Sequence, residues 1–328
     1  MKLIIQIPCY NEEQVLPQTL ADLPTHIDGI DSIERLVIDD GCTDRTSETA
    51  RELGVEHIVR HSSNKGLAAA FQTGLDAALR LGADIIVNTD ADNQYPGRYI
   101  ADLVQPVLRG EADMVIGNRQ TDRIQEFSFV KKLLQRIGSA VVRAVSGTGV
   151  PDAPSGFRAL SREAALRMNV LTGYTYTLET IIQAGKKNLT IANVPIETNP
   201  KTRESRLVRG SWSYARRQAV SILRLFILYE PLRTFIYLGL PFFLFGIGLW
   251  LRYLALLVGG AAGGHIQSVV VGAVSILMAV LLWSLGMVGE LLATNRRLQE
   301  ETLYHLKRDT LASRAPVDEE RAVTAGRR

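Results

Sequence analysis

The sequence predicts an α/β domain with a mostly parallel sheet and helices on both faces, followed by a hairpin of two transmembrane helices. Three observations lead to this prediction. Short β-branched runs alternate with helical patterns over the first two thirds of the chain, polar residues follow the ends of those runs, and two long uncharged runs lie in the last third. Alternating strands and helices are typical of a parallel sheet.

Five short runs rich in isoleucine and valine are the predicted strands. Helical patterns separate most of them, as in LAAAFQTGLDAALR at Leu67 to Arg80. The predicted strands are KLIIQIP at 2–8, ERLVIDD at 34–40, EHIVRH at 56–61, ADIIVNTD at 83–90 and ADMVIGNR at 112–119.

Polar residues follow four of these strands. In a parallel α/β sheet, ligands bind beyond the carboxyl ends of the strands. We therefore expect a single crevice lined by Pro8 to Glu12, Asp39 to Asp44, Asp90 to Gln94, and Asn118 with Arg119.

Asp90 and Asp92 follow the fourth strand where its apolar run ends. Carboxylates gathered at strand ends repel one another unless a cation lies between them. Together with Gln94 they suit Mg²⁺ or Mn²⁺, which prefer oxygen ligands, and an ion held by one or two carboxylates keeps positions for phosphate oxygens. An isolated D-x-D tripeptide is also typical of a solvated turn. The second acidic cluster, DDGCTD at 39–44, favours the metal site.

Two uncharged runs in the last third predict the transmembrane hairpin. The first covers Thr234 to Leu251 and continues apolar to Val258, and the second covers the 24 residues from Ile266 to Gly289. A membrane-spanning helix needs about 20 apolar residues. The glycine-rich stretch at 259–264 would form the turn. The alternative is a pair of buried helices in a soluble core, although soluble helices of this length usually carry a polar face.

Lysine and arginine flank both runs, and such residues are retained on the cytoplasmic side of a membrane. We therefore expect an integral protein of the inner or plasma membrane, with its N-terminal domain and both termini in the cytoplasm and no signal peptide. The cations are Arg203, Arg206, Arg209, Arg216, Arg217, Arg224 and Arg233 before the first run, and Arg296, Arg297, Lys307 and Arg308 after the second.

The predicted boundaries are an N-terminal domain at 1–208, a juxtamembrane helix at 209–232, two transmembrane helices within 233–292 and a C-terminal helix and tail at 293–328. Arginines mix with apolar residues at Ser211 to Tyr229, as in a helix that lies in the headgroup layer. An amphipathic helix packed on the globular domain is the alternative. Residues 310–328 are polar, and we expect them to be disordered.

Composition excludes some classes of protein. With 46% hydrophobic residues the chain is too apolar to be disordered, and a net charge of +3 is too small to indicate nucleic-acid binding. Cys9 and Cys42 are the only cysteines, and we expect both to be reduced.

Six ordered motifs resemble one enzyme family over residues 2–205. They are IPCYNEE, VIDDGCTDRT, NKGLAAAFQTG, NTDADNQYP, IGNR and SGFRALSRE. Together they are similar to the family 2 glycosyltransferases, which have the Rossmann-like GT-A fold. Within that family they most resemble the polyprenyl-phosphate glycosyltransferases, the group of dolichol-phosphate mannose synthase, some of which carry a C-terminal two-helix anchor.

The resemblance implies roles for the matching residues. For donor binding it implies Pro8, Tyr10, Glu12, Asp39, Asp40, Lys65, Gly66, Asp90, Ala91 and Ser155. As ligands of Mg²⁺ or Mn²⁺ it implies Asp90, Asp92 and Gln94. As catalytic residues it implies Asp92, Asp152, Arg119, Arg203 and Arg206.

Two departures from the family pattern concern the donor side. The stretch NPKTRESRL carries Arg203, Ser205 and Arg206 without the glycine that the family commonly has, so the donor preference does not carry over. Cys42 replaces the usual serine of DDGSTD, which we interpret as a neutral change between small residues.

The expected reaction is inverting, metal-dependent transfer of a sugar from a UDP- or GDP-sugar to a membrane polyprenyl phosphate. The metal and an arginine would stabilise the charge left on the diphosphate. A lipid monophosphate is largely ionised at neutral pH and can attack without a general base. Its headgroup would contact Arg119, Lys131 or Arg136.

Two alternatives stay open at this stage. One is a hydroxyl acceptor, for which Asp152 would be the general base. The other is a non-catalytic membrane scaffold. Association of copies through the membrane helices is a further hypothesis, and nucleic acid is not an expected partner.

Overall fold

The computed structural model describes residues 1–120, 143, 146–170, 176–200, 220, 224, 226–260 and 265–325, with side chains up to residue 313. The chain divides into two compact units: Met1–Ser221 with Glu301–Arg328 form the first, and Ile222–Glu300 form the second. The elements of the first unit up to residue 200 are β1 (Lys2–Cys9), α1 (Leu16–Ala21), β2 (Ser32–Asp39), α2 (Thr46–Glu52), β3 (His57–Arg60), α3 (Leu67–Arg80), β4 (Ile85–Asn88), α4 (Tyr99–Leu108), β5 (Met114–Asn118), β6 (Arg158–Ser161), α5 (Arg162–Arg167), α6 (Tyr176–Lys186) and β7 (Ile191–Pro195).

Seven strands form a single mixed sheet in the order β3-β2-β1-β4-β6-β5-β7. All five predicted strands are present. Strand β1 pairs in parallel with β2 and β4, and β5 pairs in parallel with β7. The predicted mostly parallel sheet is therefore confirmed. Strand β6 is the exception, since it runs antiparallel to both β4 and β5.

Burial explains why these runs form the centre of the sheet. Every residue of β1 from Leu3 to Cys9 is buried, as are all four residues of β4. Parallel strands covered on both faces need continuous apolar sequence. Helix α3 covers part of one face with Ala68, Phe71, Leu75 and Leu79, which recur at helical spacing.

The parallel strands bring their carboxyl ends to one edge of the sheet. Cys9, the last residue of β1, is in register with Asp39, the last residue of β2. Gln6 of β1 is in register with Asn88, where β4 ends. The segments that follow these strands therefore meet, as predicted.

The second unit contains the two apolar helices. Helix α7 spans Pro231–Val258, and α8 begins at Ile266 and continues through Ala325. Both are long and apolar enough to cross a membrane, and only 17% of an apolar 18-residue stretch in each helix is buried. That low burial differs from a core helix of a soluble protein. The helices pack through small residues and indole groups: Trp283 Nε1 donates to the Ile236 carbonyl at 3.3 Å, and Trp250 Nε1 donates to the Val269 carbonyl at 3.1 Å.

Two predictions for the chain around the hairpin have different outcomes. The prediction of a disordered tail from residue 310 is wrong for residues 310–325, which continue the helix. The sequence from 290 to 315 has neither glycine nor proline and is rich in Ala, Glu, Leu and Arg, which favour helix. The juxtamembrane helix at 209–232 falls mostly outside the described residues, although residues 226–229 are helical.

A glycine after β2 fixes how two loops meet at the sheet edge. Gly41 has φ +72°, and a Cβ at this position would lie 2.5 Å from the Ser63 carbonyl carbon and 2.6 Å from the Asn64 nitrogen. Backbone atoms cannot move aside as the end of a side chain can. Gly54 has a similar φ of +71° but open space around it.

Substituting these two glycines separates backbone strain from steric overlap. Gly54→Ala is expected to lower the free energy of unfolding by about 1–2 kcal/mol, the cost of a left-handed non-glycine residue. Gly41→Ala should cost roughly a further 1–3 kcal/mol because of overpacking. Urea denaturation of the detergent-solubilised protein would measure both. Equal losses would show that the loops separate without cost.

Candidate active site

An acidic pair lies at the edge of the sheet directly after β4. Asp90 and Asp92 are both partly buried. The Asp90 carboxylate lies against Gly156, where a Cβ would be 3.2 Å from each of its oxygens. Burial and the negative charge of Asp92 raise the pKa of Asp90 to about 7, against the opposing effect of Arg119 and Arg158. Close, partly desolvated carboxylates of this kind are stabilised by a cation.

The turn that carries the pair is fixed by backbone contacts. The Gln94 amide donates to Asp92 Oδ1 at 3.0 Å, and Asn93 adopts φ +53°. Asn199 joins this turn from beyond β7, because its amide donates to the Gln94 carbonyl at 3.0 Å and its side chain donates to the Asn93 carbonyl at 2.9 Å. Thr19 donates to the Ala91 carbonyl at 2.8 Å. The carboxylates are thus presented from a turn with little local freedom.

The donor set suits a hard divalent ion. No group of three or more His, Cys, Asp or Glu that could hold a metal occurs in the described part of the chain. Asp90 and Asp92, with the Gln94 side chain predicted from the sequence, would form a Mg²⁺ or Mn²⁺ site that completes its coordination with water or phosphate oxygens. The mutual repulsion of Asp90 and Asp92 fits such an ion.

The ends of β1 and β2 form a second wall. Asp39 is fully buried and accepts from the Cys42 amide at 2.6 Å and from the Ser47 hydroxyl, with Arg60 Nε 3.3 Å away. Burial would raise the pKa of Asp39, but these partners outweigh it and lower the pKa below its ordinary value. The Glu12 amide donates to Thr46 Oγ1 at 2.9 Å. The turn after β1 is therefore docked on the turn after β2.

The other predicted residues of this wall differ in exposure. Pro8 belongs to the buried part of β1, whereas Tyr10 is 41% exposed and Glu12 is 8% exposed. Cys9 and Cys42 are buried free thiols, as predicted.

Asp40 positions the loop before α3. Its two oxygens accept from the amides of Lys65 and Gly66, each at 2.8 Å, and His61 Nδ1 lies 2.8 Å from Oδ1. The second His61 nitrogen lies 2.9 Å from Thr73 Oγ1 on α3. Asp40 therefore holds the backbone of this loop in place at Lys65 and Gly66. Sequence analysis missed His61, although it directly follows β3 and the strand-end rule would have included it.

Arg119 and Asp152 form a bidentate ion pair on the opposite side of the site. Arg119 Nε and Nη2 donate to the two Asp152 oxygens at 2.8 and 2.9 Å, and the Arg119 amide adds a third bond at 3.1 Å. The Asp152 side chain is 3% exposed and that of Arg119 is 12% exposed. The pKa of Arg119 is raised well above its usual value because the nearby anionic groups outweigh its burial. Both Asp152 oxygens are therefore committed to Arg119.

A buried arginine organises the loop between Asp152 and β6. Arg158 is fully buried, and it donates to the Ser155 and Ala153 carbonyls at 2.8 and 3.0 Å and to the Thr180 hydroxyl. Burial lowers its pKa to about 10. This loop ends at Phe157, and β6 begins with Arg158. No sequence periodicity marks a four-residue strand.

Two further side chains that the sequence did not indicate support the loop at Gly156. Asn88 Nδ2 donates to the Gly156 carbonyl at 2.8 Å, and the Gly156 amide donates to the Tyr95 hydroxyl at 3.2 Å. The Ser155 hydroxyl is buried and has no hydrogen-bond partner among the residues that the structure describes. It remains a candidate for contact with a ligand. Arg203, Arg206, Lys131 and Arg136 lie outside the described residues.

The chain is similar in sequence to known glycosyltransferases. The family model described as glycosyl transferase family 2 matches residues 4–167. The UDP-N-acetylglucosamine–dolichyl-phosphate N-acetylglucosaminyltransferase of Methanococcus voltae is 32% identical over 216 residues, which cover 58% of this chain and 83% of that protein. The polyprenol monophosphomannose synthase of Mycolicibacterium smegmatis is 28% identical, covering 59% of this chain and 76% of that protein.

Solved structures share the fold. Glucosyl-3-phosphoglycerate synthase of Mycobacterium tuberculosis, in complex with Mn²⁺, UDP and glucosyl-3-phosphoglycerate, aligns with a TM-score of 0.54 and 24% identity over 68% of this chain and 78% of that chain. The same protein has been solved with Mg²⁺ and UDP, with a TM-score of 0.53. The sheet is that of a GT-A fold, and the chain is a glycosyltransferase that belongs to glycosyl transferase family 2.

Proposed function

We propose that this glycosyltransferase transfers a sugar from a nucleotide-diphosphate sugar to a membrane polyprenyl phosphate, with inversion and with Mg²⁺ or Mn²⁺. Relatives named for dolichyl-phosphate and polyprenol acceptors support this acceptor class. The metal complexes of the M. tuberculosis synthase support a divalent ion.

The ion pair between Arg119 and Asp152 is the observation that supports a phosphate acceptor rather than a hydroxyl acceptor. A hydroxyl acceptor needs a general base, and Asp152 is the carboxylate predicted for that role. Both of its oxygens are bound by Arg119, and it is almost fully buried. A lipid phosphate, with a second pKa of about 6, needs no base. The structure therefore favours an acceptor that arrives already ionised.

The reaction is a single displacement. An acceptor phosphate oxygen forms a bond to the anomeric carbon while the bond from that carbon to the diphosphate oxygen breaks, which inverts the configuration. Negative charge develops on the leaving diphosphate, and preorganised positive charge there lowers the barrier. Asp90, Asp92 and the Gln94 side chain would hold the divalent ion, which supplies part of that charge when bound.

Other groups of the chain bind and orient the substrates. Glu12 and Asp39 line the side proposed for the base and ribose, where carboxylates accept hydrogen bonds from N–H and hydroxyl groups. Lys65 and Gly66 are placed by Asp40. Arg119 is proposed to contact the acceptor phosphate. Arg203 and Arg206 are proposed to add positive charge at the diphosphate.

We propose that the reaction takes place at a membrane. Both helices could cross a bilayer, where a polyprenyl chain resides. The arginine-rich flanks favour an inner or plasma membrane location with the catalytic domain and both termini in the cytoplasm. Membrane lipids are then further partners, and copies could associate through the helices.

Two substitutions separate the acceptor classes. Asp92→Asn is expected to reduce transfer of labelled sugar to undecaprenyl phosphate by at least about 100-fold, because it weakens charge stabilisation at the diphosphate. Asp152→Asn should reduce transfer by less than about tenfold, since a base would account for 10²–10⁴-fold. The assay offers UDP- and GDP-sugars in detergent with Mn²⁺, and Asp102→Asn on the exposed face of α4 is the control. Loss of all transfer in Asp152→Asn, with donor binding intact, would favour a hydroxyl acceptor.

Metal binding should be visible without turnover. We expect Mn²⁺ with UDP or GDP to stabilise the wild type by about 2.7 kcal/mol when present at 100 times its Kd, and Asp92→Asn to lose most of that gain. Thermal unfolding with and without EDTA measures this. Equal stabilisation of both proteins would place the metal elsewhere.

The proposed orientation can be tested by labelling. Because Cys9 and Cys42 are buried, single cysteines can be introduced with little background. In right-side-out spheroplasts, an impermeant maleimide should react with His265→Cys, between the helices, and not with Ser313→Cys until the membrane is opened. The reverse pattern would invert the orientation.

A further inference from the structure

The part of α8 that follows its apolar run contacts the catalytic domain. We call residues 301–313 the docking segment. Its less exposed positions are Leu303, Tyr304, Lys307 and Leu311, which recur at intervals of three or four residues and so share one helix face. The remaining positions of the segment are exposed. This face contacts two helices of the catalytic domain.

Tyr304 makes the more buried contact. It is 7% exposed, and its hydroxyl lies 3.0 and 3.2 Å from the two oxygens of Glu163 on α5. Arg167 completes the contact, because its guanidinium lies 4.5 Å from the centroid of the Tyr304 ring and its Nε donates to Glu163 at 2.6 Å. The hydroxyl and the ring of Tyr304 are therefore both bound by charged groups of α5.

Lys307 makes the second contact one turn later. Its Nζ lies 2.8 Å from Asp76 Oδ1 on α3, and Gln72 donates to the same oxygen at 3.1 Å. The side chains of Lys307 and Asp76 are 20% and 33% exposed. Beside this pair lies an open cleft of about 410 Å³ lined by residues of α3 and the docking segment, among them Leu79, Arg80, Leu306 and Thr310. A partly exposed ion pair of this kind contributes only about 0–1 kcal/mol.

Both partner helices directly follow segments of the candidate active site. Helix α3 begins after Gly66, whose amide Asp40 binds. Helix α5 directly follows β6, which begins with Arg158, the organiser of the loop at 153–155. The docking segment itself belongs to the same continuous helix as the apolar run that begins at Ile266.

We propose that the docking segment is an intramolecular attachment that binds α3 and α5 through Tyr304 and Lys307 and keeps the catalytic domain near a membrane-embedded acceptor. The attachment acts alongside the chain that precedes α7. Its contribution to acceptor use rests on the proposed function, whereas the docking contact does not. Loss of docking should therefore reduce transfer to a long-chain acceptor in a bilayer and spare donor binding and transfer to a short, water-soluble acceptor.

The first test measures docking without activity. In full-length protein in lipid nanodiscs, Tyr304→Ala/Lys307→Ala should increase amide hydrogen exchange of residues 301–313 by about tenfold or more, since it removes a hydrogen bond to a charged group. Arg308→Ala/Asp309→Ala changes exposed positions of the same helix turn and should leave exchange unchanged. Lys307→Asp should also increase exchange, and Asp76→Lys added to it should restore protection. Unchanged exchange in Tyr304→Ala/Lys307→Ala, or no rescue by the charge swap, would overturn the docking contact.

The second test compares two acceptors. For Tyr304→Ala/Lys307→Ala we expect about a tenfold loss of transfer to undecaprenyl phosphate in nanodiscs, with transfer to citronellyl phosphate in solution within about twofold of wild type. Equal loss with both acceptors would show that the segment only stabilises the fold and would overturn the proposal. Absence of transfer by the wild type would refute the proposed function instead, and the exchange measurement would still decide the docking contact.

Discussion

Repulsion between Asp90 and Asp92 is the constraint around which the site is arranged. The sheet ends at these carboxylates, and burial together with their mutual repulsion raises the pKa of Asp90 to about 7. Arg119 and Arg158 oppose that shift from the protein side, but each is committed to a structural partner. A divalent ion would relieve this repulsion, and the phosphate oxygens of a diphosphate could occupy the coordination positions that two carboxylates leave open.

The acidic residues of the site fall into two groups by what they contact. Asp40 and Asp152 are bound by loop amides and by a guanidinium, whereas Asp90 and Asp92 lie close enough at the sheet edge to repel each other. Asp40 accepts from two loop amides and lies beside His61, and Asp152 forms a bidentate pair with Arg119. Such bonds hold a loop or a guanidinium in place. This division is why the structure favours a phosphate acceptor over a hydroxyl one.

The chain after the second apolar run contacts helices α3 and α5, and its composition alone does not predict this contact. Charged residues beyond a hydrophobic run are usually interpreted as a solvated tail, and the sequence was interpreted in that way from residue 310. In the structure the helix continues, and its turns at 304 and 307 carry contacts to α3 and α5. The pairing of Tyr304 with Glu163 joins residues 141 positions apart. No local pattern encodes a contact over that separation.

The sequence by itself determined where the first five strands lie along the chain, the edge of the sheet at which their polar residues gather, and the two apolar helices. These features depend on local periodicity and on run length, which burial imposes residue by residue. The tertiary structure alone decided that β6 inserts antiparallel between β4 and β5, that Arg158 is buried, and which carboxylates are bound by an arginine or by loop amides. Those outcomes depend on partners distant in sequence, such as Arg119 and Asp152, 33 residues apart. Whether a carboxylate faces a ligand or a guanidinium is settled only when the chain brings the two together.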